Sequence, residues 1–98
     1  MTVHFESEAL EEYREAAQYS EDRFGPGLQF VAAMQVALKE IGRDPARFQP
    51  VGDGVRIYRM KRFPYHLFFH HQLTPEAVVV YAVAHHKRRP DYWRDRLP

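Results

Sequence analysis

The chain has 98 residues, 45% hydrophobic and 28% charged, the balance of an ordinary folded domain and not of a disordered or fibrous chain. It contains no cysteine, which excludes a disulfide scaffold and thiolate chemistry and fits a reducing compartment. The net charge of +1 conceals two unlike parts: Met1 to Glu40 holds eight acidic and three basic residues (−5), Ile41 to Pro98 five acidic and eleven basic (+6). Such asymmetry suits a basic face turned to an anionic partner.

The first residues, Met1-Thr2-Val3-His4-Phe5-Glu6, carry neither a basic stretch nor an apolar run, so no signal peptide is expected. The longest apolar run, Ala77 to Ala84, is too short to span a bilayer. A single cytoplasmic domain over residues 1–98, with no membrane partner, is the expectation.

Thr2 to Phe5 alternates and predicts a short edge strand. Ser7 stands as the N-cap of a helix, with Glu8, Glu11 and Glu12 favourable against its dipole. Leu10, Tyr13, Ala17, Ser20 and Phe24 follow at 3-4-3-4 spacing, one buried stripe. Gly25-Pro26-Gly27 ends the helix, and Leu28, Val31, Met34, Leu38 and Ile41 mark a second one, stopped by Gly42 and Pro45. So short a turn between them predicts an antiparallel helical hairpin.

Asp44 to Gly54, punctuated by Pro45, Pro50, Gly52 and Gly54, reads as a loop. Val55 to Arg62 alternates, with Arg56, Tyr58, Met60 and Arg62 opposite Val55, Ile57, Arg59 and Lys61. Phe63-Pro64 interrupts before Tyr65 to His71. Leu73-Thr74-Pro75-Glu76 reads as a hairpin turn. Ala77 to His85 is apolar enough for a strand buried on both faces. The predicted fold is α+β, β-α-α-β-β-β, with the hairpin packed on a mainly antiparallel sheet.

Chemistry concentrates where the last strand ends, at His85-His86-Lys87-Arg88-Arg89-Pro90-Asp91-Tyr92-Trp93. With Arg56, Arg59, Lys61, Arg62 and His66 this makes a cationic set, and no acidic residue occurs between Val55 and His71. The alternation rule argues that neither His70-His71 nor His85-His86 ligates one ion together. No metal site and no cofactor are expected. Ser7 and Ser20, the only serines, lie in the first helix and support no nucleophilic triad. Neither a phosphate-binding loop nor a dinucleotide motif occurs.

The helical hairpin, Val55-Arg56-Ile57-Tyr58 leading to Phe63-Pro64-Tyr65-His66-Leu67, and the terminal Val83-Ala84-His85-His86-Lys87-Arg88-Arg89-Pro90 resemble the RelE/ParE family. These are toxins of type II toxin–antitoxin modules, also called plasmid stabilisation proteins. The resemblance covers nearly the whole chain. It implies growth inhibition, neutralisation by a cognate antitoxin, and one of two activities. RelE-like members resemble ribosome-dependent, metal-independent ribonucleases that cut messenger RNA, whereas ParE-like members poison DNA gyrase.

In the nuclease branch the resemblance puts Arg59 where a sheet lysine stands, His66 at an arginine, Lys87 or Arg88 at the final arginine, and Tyr92 or Trp93 at a tyrosine. His85, the histidine at the strand end, adds a group that titrates near neutrality. The second sheet lysine is matched by the apolar Ile57. The catalytic set under the nuclease reading is therefore Arg59, His85, Lys87, Arg88 and Tyr92. Arg56, Lys61, His66 and Arg89 are expected to bind the target. The missing lysine inclines the reading to a ParE-like gyrase inhibitor, with the ribonuclease and a non-toxic binding module as alternatives. The antitoxin is expected to lay a largely helical, acidic segment on the hairpin or sheet edge. The sequence leaves open a homodimer and a toxin–antitoxin hetero-oligomer.

Overall fold

The computed structural model describes residues 1–24 and 27–98. It contains strand β1 (Thr2–Phe5), helices α1 (Ser7–Phe24) and α2 (Gly27–Arg43), and a 3-10 turn at Pro45–Arg47. Strands β2 (Gln49–Gly52), β3 (Val55–Arg59), β4 (Tyr65–Leu73) and β5 (Glu76–His85) follow, then a 3-10 turn at Arg94–Arg96. The strands form one sheet in the order β1-β5-β4-β3-β2, with β1 parallel to β5 and the other pairings antiparallel. This is the predicted α+β layout with one strand more.

The extra strand, β2, lies in the stretch predicted as loop. Gln49 pairs with Ile57 and Pro50 with Arg56, and Asp53 and Gly54 turn the chain at φ of 56° and 76°. Pro50 and Gly52 read as loop signals, yet both are tolerated on an edge strand whose ladder shifts register between them.

Glu6, and not Ser7, caps α1. Its Oε1 accepts from the backbone N–H of Glu8 at 2.9 Å and of Ala9 at 3.1 Å, satisfying donors that the first turn leaves orphaned. The buried stripes are turned slightly from the predicted ones: Ala9, Ala16 and Ser20 on α1, and Phe30, Met34, Ala37 and Ile41 on α2. Three alanines among them let the helices approach closely, and larger side chains such as Tyr13 and Leu38 fill the flanks. The Gly25-Pro26 turn, and the Phe24 and Leu28 side chains of the predicted stripes, lie outside the described residues.

One face of the sheet meets the helices through Tyr58, Leu67, Phe69, Val78, Val80 and Val83. The other carries Val55, Phe68 and Ala82 against Trp93. β5 is therefore buried on both faces, as predicted. A bulge decides what its end presents: Phe69 pairs with Val80 but Phe68 with Ala82, leaving Tyr81 as the extra residue. Past it the parity reverses. Val83 joins the helix-side core with Val78 and Val80, and His85 follows it to that side.

Candidate functional site

Beyond β5 the chain lies across the second face of the sheet. Trp93 is 1% exposed and stacks on Phe68 at 4.7 Å between centroids. Arg94 reaches the β2–β3 turn, donating to Asp53 Oδ2 at 2.7 Å and to the Val51 carbonyl at 2.8 Å. Arg96 points the other way, donating to the Tyr81 carbonyl at 2.9 Å and to both oxygens of Glu12 at 2.8 and 3.0 Å. The segment is thus a strap, fastened at the β2–β3 turn and at α1, with an indole between.

Glu12 is the hub of the second fastening. Besides Arg96, it accepts from the Val83 backbone N–H at 3.1 Å and the Tyr92 hydroxyl at 2.6 Å, and Arg88 stands 3.5 Å away. Burial alone would raise its pKa. The hydrogen bonds from Arg96, Tyr92 and Val83 outweigh that and hold the carboxyl below its usual range. Tyr92 responds in the opposite sense, since burial, then the hydrogen bond to Glu12 and its charge, push the phenol well above its ordinary value. The Arg88 guanidinium lies 3.8 Å from the centre of the Tyr92 ring.

His66, His85, Arg88, Arg89 and Tyr92 line one hollow of about 190 Å³, floored by Phe68 and Trp93. Arg59 is paired in register with His66 and donates to Gln49 Oε1 at 3.0 Å. Burial, then the charges of Arg59 and His86, keep His66 below its ordinary pKa. His85 sits at the helix-side rim, 5.3 Å from Tyr65 and 6.2 Å from Tyr19 by ring centroids. Its Nδ1 accepts from the Lys87 backbone N–H at 3.1 Å, so its proton is on Nε2. Burial, His86 and Lys87 lower its pKa.

The other predicted residues fall elsewhere. Arg56 lies toward the helix side, donating to the Phe48 carbonyl at 2.6 Å. Lys61 does not share a face with Arg59, because β3 ends at Arg59. Instead Lys61 and Arg62 border a groove of about 460 Å³ against α2, lined by Ala32, Ala33, Val36, Met60 and Phe63. Lys87 is exposed beyond β5. The alternation argument also fails at one histidine pair: the strand stops at His85, and the His85 and His86 rings stack at 4.7 Å. At the other pair it holds, with His70 on the Gly54 carbonyl and His71 on Glu76. No cluster of three or more His, Asp or Glu side chains able to hold a metal occurs among the described residues. No helix among them is long and apolar enough to cross a membrane.

The family described as "ParE toxin of type II toxin-antitoxin system, parDE" matches residues 3–90. The chain belongs to the ParE toxin family. It is therefore a toxin of the type II class, on the ParE side of the resemblance read from the sequence. Among solved structures, a chain of "Chromosomal ParDE TA system from P. aeruginosa" is similar at TM-score 0.74 and 16% identity, over 87% of this chain and 95% of that one. At that identity the likeness supports the ParE fold. No curated protein gives a significant sequence match. The matched residues stop at Pro90, so most of the strap, including Trp93, Arg94 and Arg96, lies past the shared region. Glu12 and Arg96 are the site residues that sequence reasoning missed. They are 84 positions apart, and nothing local distinguishes Glu12 from the other acids of α1.

Proposed function

We propose that this ParE toxin acts by binding DNA gyrase rather than by cutting RNA, and that a cognate antitoxin neutralises it by covering the cationic face. The observation that carries the first part is the state of Tyr92. A phenol donating to a carboxylate at 2.6 Å, with its pKa raised, is poorly suited to give or take a proton in a cleavage step. Ile57, which stands where the nuclease branch has a second sheet lysine, is buried against the strap side and supplies no charge. Arg59, Lys87 and Arg89 form no ion pair among the described residues. Cations left without acids suit a binding surface for an acidic or phosphate-bearing target.

The groove beside α2 supports the antitoxin reading. Its apolar floor, with Val36 54% exposed and Lys61 and Arg62 on the rim, fits an amphipathic acidic helix. The deciding experiment runs two assays on the purified toxin: supercoiling by gyrase, and primer extension on translated message. Loss of supercoiling, restored by the antitoxin, with intact message is the expected result. Message cleavage abolished by Arg59→Ala would overturn it in favour of the ribonuclease.

A further inference from the structure

The positive groups of the C-terminal half divide into two kinds. Arg88, Arg94 and Arg96 each have a carboxylate: Glu12 at 3.5 Å, Asp53 at 2.7 Å and Glu12 at 2.8 Å. Arg56, Arg59, Lys61, Arg62, Lys87 and Arg89 have none among the described residues. Of these, Arg89 lines the hollow beneath the turn that follows β5, and Arg59 is the register partner of the lining residue His66. Asp91, the one acid of that lining, is occupied by Arg94 Nε at 3.1 Å.

We propose that this hollow, between His66, His86, Arg89 and Trp93, binds a phosphate group. Its volume of about 190 Å³ holds a phosphate and a few waters, a water occupying about 30 Å³ of liquid. The floor is the stacked pair Phe68 and Trp93, which excludes solvent and strengthens charge interactions above it. Donors converge from separate elements: His66 from β4, Arg89 from the turn, and His86 from just past β5. His86 is already oriented, since its Nδ1 donates to the Pro64 carbonyl at 3.2 Å; its Nε2, free of that bond, donates to an anion once the ring takes up a second proton, which a bound phosphate favours. The crowding of His66 by Arg59 and His86 is the field a bound anion relieves.

The proposal deepens the reading of this face as a target-binding surface by naming the chemistry it takes, and it involves no bond breaking. The phosphate can belong to free phosphate or to a nucleic-acid backbone, and the test has an arm for each. Inorganic phosphate is titrated into the toxin at constant ionic strength, against chloride, while the His66 and His86 ring signals and Trp93 fluorescence are followed. Trp93 is the single tryptophan, so its emission reports this floor alone. Saturable changes confined to those residues are expected. Arg89→Ala should weaken binding at least five-fold, and Arg14→Ala, on the exposed side of α1, should leave it unchanged. His66→Gln is a second variant, but Arg89 is exposed and its removal keeps the test valid if the half-buried His66 variant unfolds.

A short DNA oligonucleotide is then added as competitor. Displacement of phosphate assigns the pocket to a nucleic-acid backbone, and lack of displacement assigns it to free phosphate or a monoester; both support the site. Non-saturating shifts, equal shifts with chloride, or phosphate binding unchanged in Arg89→Ala overturn it. Gyrase inhibition is measured on the same samples. Inhibition without phosphate binding removes the pocket alone, and phosphate binding without inhibition removes the gyrase reading alone.

Discussion

Glu12 receives hydrogen bonds from an arginine, a tyrosine and a strand backbone while only 11% of its side chain is exposed, and its main partner Arg96 is 9% exposed. A buried pair of this kind contributes little net stability when whole, but losing one member strands the other's charge. Glu12→Gln should therefore destabilise the protein by about 3 kcal/mol, read as a lower urea midpoint at unchanged slope. A loss below about 1 kcal/mol, the range of an exposed pair, would mean that Arg96 finds water instead. The histidines make a separate prediction. His66 and His85 are both held below 6.5, first by burial. The unfolded imidazoles protonate as pH falls through 6.5 while the folded ones still resist, so stability is full above that pH and declines below it. Glu12 adds a loss of the same sign only below 4.5, its carboxyl being lowered. The urea midpoint should fall between pH 7.5 and 5.5, and His66→Gln should flatten that fall; a midpoint constant over this range contradicts the assignment. The sequence displayed the basic cluster because its members are neighbours in the chain. It concealed Glu12, whose partners all lie between Val83 and Arg96, the nearest of them 71 positions away.

At the level of elements, the strap and the β5 bulge decide what the site contains. Trp93 closes the second face of the sheet on Phe68, Val55 and Ala82. Trp93→Ala should cost about 3–5 kcal/mol, and Trp93→Phe, which keeps a ring on Phe68, clearly less; equal losses would show that the indole fills no specific space. The helices, four strands and the burial of β5 were legible from periodicity, since each buries a stripe or face that repeats at its own period. β2 was not, because Pro50 and Gly52 carry loop signals and an edge strand needs no apolar alternation. Nor was the bulge. One extra residue, Tyr81, sends His85 to the Tyr19 and Tyr65 side, and no local feature of Val80-Tyr81-Ala82 announces it. Strict alternation would have grouped His85 with the strap-side cations, so the parity reversal shifts it from the centre of the hollow to its rim.

Across the whole molecule, the strap joins the two ends of the sheet's layout: the β2–β3 turn through Arg94 and α1 through Arg96. The turn that carries Lys87, Arg88 and Arg89 runs directly into it, so the geometry of the cationic face depends on both fastenings. The two guanidinium groups share no hydrogen-bond or ion-pair partner, and sites without shared partners add in their effects to within about 0.5 kcal/mol. If the strap instead lifts as a unit, releasing one end lowers what the other end can still hold. The double variant Arg94→Ala/Arg96→Ala should then cost less than the sum of the single variants, by more than about 0.5 kcal/mol, in denaturant unfolding. Trp93 emission gives the structural counterpart: each single variant should keep the buried spectrum and the double variant should shift to the red. Strict additivity with an unshifted spectrum would show that Trp93 packing alone anchors the segment, and the cationic turn would then owe its position to the indole rather than to the two arginines.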